Sequence, residues 1–118
     1  MSIDQHKQLC DRSKKFALRI LHLADSLPTS RSANVIANQV LRSGTAVAAN
    51  YRAAGRARSK AEFIAKLGIV VEEADETVFW LEMLNDAELV RGALLAPLQK
   101  EANELLAIFS ASRTTARG

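Results

Sequence analysis

The stretch SKAEFIAKLGIVVEEADETVFWLEMLN, residues 59–85, decides the fold class of this chain. Ser59 followed three residues later by Glu62 is the pattern of a capping box, in which the two side chains satisfy backbone N–H groups at a helix start. Apolar residues then recur in steps of three and four, which places them on one face of a helix. These residues are Phe63, Leu67, Val70, Ala74, Val78, Leu81 and Leu84. The stretch therefore predicts a long amphipathic helix over about residues 60–85.

Two helical segments precede this stretch. The first covers about residues 3–26 and ends before Pro28, which cannot continue a helix. The second covers about residues 32–55, and Gly55 suits the position after a helix, where φ is often positive. The second segment also has a strip of small residues that would let another helix approach closely. The strip consists of Ala37, Gly44 and Ala48.

A fourth segment follows, over about residues 93–112. Pro97 is compatible with a helix only in its first turn or with a kink, and residues 112–118 are expected to fray. Four amphipathic segments with short connections predict an all-α fold, an antiparallel up-down-up-down four-helix bundle. We expect residues 1–118 to form this single domain.

Composition restricts the class of protein. The chain has 118 residues, of which 48% are hydrophobic and 25% charged, as in an ordinary globular domain. Its one cysteine, Cys10, excludes an internal disulfide and is consistent with a reducing compartment. The N-terminal residues are polar, and no apolar run approaches the ~20 residues that a membrane-spanning helix needs. The sequence predicts a cytoplasmic protein that does not enter a membrane.

Charge is segregated along the chain. Residues 26–61 hold six basic residues and no acidic one, whereas residues 62–88 hold eight acidic residues and one basic. An antiparallel hairpin about the link at residues 56–59 would place Arg42 near Glu73, and would also bring Gln39 near Glu76. The same hairpin brings Ser43 near Glu72. The basic second helix thus has an acidic partner next to it in the chain.

A polar seam is predicted along this hairpin. It comprises Gln39, Arg42, Ser43, Asn50, Glu73 and Glu76. The seam either closes the hairpin, with Arg42 and the carboxylates neutralising each other, or bridges to a neighbouring subunit. Replacing Arg42 by alanine should leave carboxylates unpaired and destabilise the fold by a few kcal/mol.

A basic corner is predicted at the link between the second and third helices. It consists of Arg52, Arg56, Arg58 and Lys60. Such a cluster of cations can neutralise nucleic-acid phosphates. Tyr51 is the only aromatic residue in the basic stretch, so a platform for stacking bases is poorly supported. The alternative is a solvated corner that binds nothing.

The acidic residues of the third segment could suggest a metal site. The cluster comprises Glu72, Glu73, Asp75 and Glu76. Di-iron bundles place a histidine three residues after a glutamate, but His6 and His22 both lie in the first segment and lack that pattern. The carboxylates are therefore expected to be solvated or ion-paired, and no metal or other cofactor is predicted.

No catalytic group is predicted either. Cys10 has no second cysteine for a thiolate zinc site and no recognisable base to activate it, so a core or interface position is the simpler interpretation. Phosphate-binding loops and nucleophile elbows are absent from the sequence. Phe79 and Trp80 lie on adjacent faces of the third helix, so one of them is expected to point outward and mark a partner surface.

Two blocks of the sequence resemble a known family. They are SANVIANQVLRSGTAVAANYRAA, residues 32–54, and SKAEFIAKLGIVVEEADETVFWLEML, residues 59–84. They resemble the bacterial four-helix-bundle proteins encoded in intervening sequences of large-subunit ribosomal RNA genes, which are related to the accessory variability determinants of diversity-generating retroelements. The first block carries the resemblance through Gln39, Arg42, Ser43 and Asn50. The second carries it through Phe63, Glu73, Ala74, Glu76, Thr77, Trp80 and Leu81.

This resemblance implies a non-enzymatic, ring-like homo-oligomer, typically a pentamer. It also implies nucleic acid, or a protein of the reverse transcriptase type, as a partner. Many relatives carry an acidic residue where this chain has Ala53, so the surface here is more basic. The function expected is a homo-oligomeric scaffold or adaptor that binds nucleic acid or a nucleic-acid enzyme through its basic surface. The alternative is a direct RNA- or DNA-binding protein acting through the basic corner.

Overall fold

The structure, a computed structural model, describes residues 2–118. It contains four helices, α1 (Ile3–Ser26), α2 (Arg31–Ala54), α3 (Lys60–Asp86) and α4 (Gly92–Arg117). Successive helices run in opposite directions and form a rod of 44 × 23 × 20 Å. The predicted all-α, antiparallel up-down-up-down four-helix bundle is confirmed.

Serine hydroxyl groups begin three of these helices. The capping residues are Ser2, Ser30 and Ser59. At α1 the capping box is complete, because the Ser2 N–H also donates to Gln5 Oε1 at 2.9 Å. At α3, Ser59 Oγ accepts from the Glu62 N–H at 3.1 Å, as the sequence predicts, but the Glu62 carboxylate lies 3.8 Å from Arg58 Nε. The α3 start is therefore capped by the serine half of the box.

The core is one continuous apolar cluster to which every helix contributes. Its largest fully buried side chains include Phe16, Ile20, Val40, Val47, Tyr51, Leu67, Leu81, Leu84, Leu95, Leu105 and Phe109. Gly44 lets α1 approach α2 closely, since a Cβ at this position would lie 2.9 Å from Ile20 Cγ2. The close approach expected from the strip of small residues is thus made at Gly44.

Two helix ends differ from the expectation. Gly55 has φ −65° and ψ −13°, so the expected positive φ is wrong. A Cβ on Gly55 would overlap the His6 imidazole, and packing rather than backbone conformation explains the glycine. Helix α4 continues to Arg117 instead of fraying after residue 112, because Ala116 packs on the core and Arg113 lies across Gly68. Pro97 occupies the second turn of α4.

The seam between α1 and α4 is the most open side of the bundle. The other neighbouring helices pack closely, whereas the backbones of α1 and α4 come close together at far fewer positions. Arg12 crosses this seam, donating from Nε to Glu101 Oε2 at 2.9 Å and from Nη2 to Glu101 Oε1 at 2.6 Å. Its Nη2 also reaches Glu104 Oε2 at 2.9 Å. The hydrogen bond from Arg12 lowers the pKa of the Glu101 carboxyl group.

Candidate nucleic-acid interface

The polar seam divides into a surface ion-pair cluster and a buried part. Arg42 Nη1 lies 3.1 Å from Glu73 Oε2, and its Nη2 binds Glu76 Oε2. The Gln39 side-chain oxygen accepts from Arg42 Nε at 3.5 Å. The structure therefore brings together four of the six seam residues on the outside of the α2–α3 hairpin.

Ser43 faces inward, so its expected proximity to Glu72 is wrong. Its hydroxyl is fully buried and lies 2.9 Å from Thr77 Oγ1, which is also buried. Thr77 Oγ1 in turn lies 2.8 Å from the Glu73 carbonyl oxygen. Asn50 Nδ2 donates to the Ala46 carbonyl of its own helix at 2.9 Å. These two polar residues of α2 therefore have partners inside the subunit.

Exposure determines how much the Arg42 cluster contributes to stability. The Arg42 side chain is 49% exposed, compared with 20% for Glu73 and 35% for Glu76. Ion pairs this exposed contribute about 1 kcal/mol or less, so the few kcal/mol expected for a partly buried pair is an overestimate. The Arg42 hydrogen bond lowers the pKa of Glu76, and the Trp80 indole N–H reinforces this at 3.4 Å. Arg42 is neutralised in place.

The basic corner is fully on the surface. Arg52 is in the last turn of α2, Arg56 and Arg58 lie in the connection, and Lys60 begins α3; all four are exposed. The Arg58 side chain is 91% exposed, and among the described residues it forms one ion pair, the 3.8 Å contact with Glu62. Within residues 2–118, no carboxylate lies within ion-pairing distance of the other three cations.

Basic residues of α1 extend this surface. A depression of about 510 Å³ beside the corner is lined by Arg52, Lys7 and Lys14, together with Asp11. Sequence reasoning missed the two lysines. Their signal was a spacing of seven residues, two helical turns, which puts both on the face of α1 next to the end of α2.

Tyr51 belongs to the core and not to the surface. Its ring is fully buried between His6 and Phe109, with ring centroids 4.7 and 4.8 Å away. Burial raises the pKa of Tyr51 to about 12, and the neighbouring Cys10 adds to the increase. Because this ring is inaccessible, Tyr51 offers no platform for stacking bases, and the basic corner offers phosphate contacts.

A cysteine–histidine pair lies next to the corner. Cys10 Sγ is 3.4 Å from His6 Nε2, one helical turn away on α1. Burial raises the pKa of the Cys10 thiol, Asp11 adds to this, and Arg52 opposes it. Burial also lowers the pKa of His6. Both shifts favour a neutral thiol and a neutral imidazole, the opposite of the thiolate–imidazolium pair found in activated cysteines.

Residues 2–118 contain neither a cluster of metal ligands nor a membrane-spanning helix. Residues 2–118 contain no group of three or more histidine, cysteine, aspartate or glutamate side chains arranged to hold a metal ion. Glu73 and Glu76 are occupied by Arg42, and Glu72 and Asp75 are exposed. None of the helices in these residues is long and apolar enough to cross a membrane.

Comparison with known proteins identifies relatives over nearly the whole chain. The family model described as 23S rRNA-intervening sequence protein matches residues 5–111. The chain is also similar to the crystal structure of a protein of unknown function from the S23 ribosomal protein family of Bacteroides thetaiotaomicron VPI-5482. The two are 34% identical, with 92% of this chain and 97% of that chain covered and a TM-score of 0.85. No curated protein matches the chain. The family resemblance drawn from residues 32–84 is confirmed.

Proposed function

Because the chain belongs to the 23S rRNA-intervening sequence protein family, we propose that it is a non-enzymatic, homo-oligomeric scaffold whose basic corner binds RNA or an RNA-bound protein. One contrast supports this proposal above all. Arg42 is neutralised by two carboxylates, whereas the four cations of the basic corner are exposed, and within residues 2–118 Arg58 alone among them forms an ion pair, at 3.8 Å. Exposed cations in this state are available to a polyanion.

The chemistry of the corner suits the phosphate backbone of RNA. Arginine and lysine side chains at phosphates displace condensed counterions, which gives affinity that depends strongly on salt and little on sequence. Tyr51, the aromatic residue of the basic stretch, is fully buried and therefore cannot stack on a base. The Lys7, Lys14 and Arg52 depression extends the positive surface along α1.

A salt titration of RNA binding tests this role. The affinity for a fluorescent RNA hairpin should fall steeply between 50 and 200 mM salt, as expected for several phosphate contacts. Changing all four corner residues to glutamine should weaken binding and make the slope of log affinity against log salt shallower by about 3. A control variant changes three exposed cations outside the corner, Arg31, Arg91 and Lys100, to glutamine and should keep wild-type affinity. Equal binding by both variants would refute a role for the corner.

Light scattering tests the scaffold part of the proposal. A pentamer would have about five times the 12.9 kDa mass of the chain. Repeating the basic corner around a ring would give several weak phosphate sites acting together, which raises avidity without new contacts. A solution mass equal to that of one chain would remove the homo-oligomer from the proposal.

The second candidate is direct RNA or DNA binding by a single chain through Arg52, Arg56, Arg58 and Lys60. The exposure of these four side chains favours it as well. Under this candidate, a monomeric variant should bind RNA with the same affinity per chain as the wild type. Under the scaffold proposal, the same variant should bind RNA more weakly, because a single chain lacks the avidity of several sites. A protein partner, such as one of the reverse transcriptase type, would instead bind in the absence of nucleic acid.

A further inference from the structure

A depression at one end of the bundle adjoins the basic corner. It has a volume of about 560 Å³ and lies where α1 and α3 begin and α2 ends, and we call it the end depression. Its lining includes Lys60 of the corner and, from the connection between α2 and α3, Gly55, Ala57 and Ser59. Arg56 and Arg58 alternate with these connection residues and are exposed. The end depression is therefore large enough for a small ligand and has the cations of the corner next to it.

Two aromatic rings reach the surface at the end depression. The first is His6, the outermost member of a row in which the Phe109, Tyr51 and His6 ring centroids lie 4.8 and 4.7 Å apart. Phe109 and Tyr51 are fully buried, whereas His6 is partly exposed and lines the depression. The second is Phe63, which is partly exposed near the start of α3 and also lines the depression. Unlike Tyr51, these two rings can be reached by a ligand from solvent.

Packing places the arginines of the connection beside the His6 ring. A Cβ on Gly55 would overlap the imidazole, so the backbone passes directly against this ring at the end of α2. Arg56 is the next residue and Arg58 follows two residues later, so both leave the backbone within about 11 Å of this contact, at about 3.8 Å per residue. A strand whose base touches His6 would therefore have its adjacent phosphates within reach of these guanidinium groups.

From this arrangement of rings and cations, we propose that the end depression holds one unpaired base of the bound RNA. The base packs on His6 and Phe63, and the corner cations hold the phosphates on either side of it. Histidine and phenylalanine are among the side chains on which RNA bases stack, and unpaired strands are bound by such rings together with a basic surface. A base inside a duplex has both faces covered by its neighbours, so the RNA is single-stranded at this point. This inference rests on the RNA binding of the proposed function and adds the form of RNA that is recognised.

Removing the bases of a strand without removing its phosphates tests this site. One probe is a fluorescent ten-nucleotide RNA of adenosine and cytidine, which cannot pair with itself. The other is a strand of the same length and charge whose sugars carry no bases. The wild type should bind the strand with bases about tenfold more tightly, the effect of one stacked base. Both affinities should fall alike with salt, because the phosphates are the same.

Two variants remove the rings without removing charge. His6→Gln and Phe63→Leu should each reduce the preference for the strand with bases from about tenfold to about twofold or less. Because burial lowers the pKa of His6, the imidazole is uncharged at pH 7.5, and His6→Gln should leave the salt dependence unchanged. His6→Phe retains a ring and should retain the preference, as should the matched control Phe79→Leu, whose ring is 49% exposed elsewhere on α3. Circular dichroism checks that each variant is folded.

The corner variant, with its four cations changed to glutamine, should show the opposite pattern. Its salt dependence should become shallower while the preference for the strand with bases remains. Free adenosine monophosphate should compete weakly with the strand, because it offers the corner a single phosphate.

The outcomes separate this site from the proposed function. Equal affinity of the wild type for the two strands, or a preference that survives both ring variants, would overturn the base site while leaving phosphate binding by the corner intact. The comparison on the wild type needs no variant, so it decides even if His6→Gln does not fold. Displacement of the strand by an equal concentration of adenosine monophosphate would overturn the assignment to a strand. Failure of the wild type to bind either strand at low salt would overturn both the base site and RNA binding.

Discussion

Replacing Thr77 by valine tests how the two buried hydroxyl groups hold α2 against α3. Ser43 and Thr77 are both fully buried, with 2.9 Å between their oxygens. A hydroxyl carries one hydrogen, so the short contacts are satisfied when Thr77 donates to the Glu73 carbonyl and Ser43 donates to Thr77. Valine keeps the shape of threonine and removes this acceptor. Ser43 then has only the Val40 carbonyl, 3.4 Å away.

The expected cost follows from leaving one buried polar group poorly satisfied. Thr77→Val should lower the free energy of unfolding by about 1–2 kcal/mol, which corresponds to a drop in Tm of about 4–8 °C for a chain of this size. Ser43→Ala should cost a similar amount. The double variant removes both partners at once, so it should cost less than the two single changes together by about 1 kcal/mol or more.

Urea denaturation followed by circular dichroism measures these differences. All four proteins in the cycle should be compared at one chain concentration, because assembly would make stability depend on concentration. Equal urea dependence of the unfolding free energy would show that the folded states are equally compact. The two hydroxyl groups do not interact if Thr77→Val leaves the free energy of unfolding unchanged, or if the double variant loses as much as the sum of the two single variants.

Three further perturbations have defined outcomes. Arg42→Ala should lower the unfolding free energy by about 1 kcal/mol in dilute salt and less in 1 M salt, since the ion pairs are exposed. Urea denaturation at the two salt concentrations measures this difference, and an equal loss of unfolding free energy at both would contradict the prediction. Gly44→Ala should cost about 1–3 kcal/mol by the same measurement, because the added methyl meets Ile20, a β-branched side chain with little freedom to move, and an Ile20→Ala background should remove most of that cost. The lowered pKa of His6 means that the unfolded chain binds its proton more tightly, so Tm should fall as pH drops below about 6.5; His6→Gln should give a flatter Tm profile between pH 7.5 and 5.5, and identical profiles would exclude His6 as the cause.

Much of the candidate site could be read from the sequence. Arg52, Arg56, Arg58 and Lys60 lie within nine residues around a helix link, and a link at the end of a bundle is exposed for any packing of the helices. The pairing of Arg42 with Glu73 and Glu76 also followed, because a short connection forces the two helices to run side by side.

Side-chain direction around the helix axis was harder to predict. Ser43 follows Arg42 in the chain, yet one residue turns a helix by about 100°, which separates a surface arginine from a buried hydroxyl. Glu72 was the wrong partner for Ser43 because the antiparallel register gives the position of a residue along the two helices but not the direction of its side chain around the helix axis. The missed lysines of α1 illustrate the same difficulty, because the position of Lys7 beside Arg52 depends on how α1 packs against α2.

The sequence by itself determined the four helices, their order and the segregation of charge between α2 and α3, because capping and apolar spacing act within a few turns of one chain segment. Only the tertiary structure decided that Arg12 bridges to Glu101, that Gly55 makes room for His6, and that α1 and α4 leave a groove between them. These features depend on the rotation and axial shift of one helix against another. That arrangement is fixed by the packing of the whole core, since a change of one residue in register turns a different face of the helix toward its neighbour.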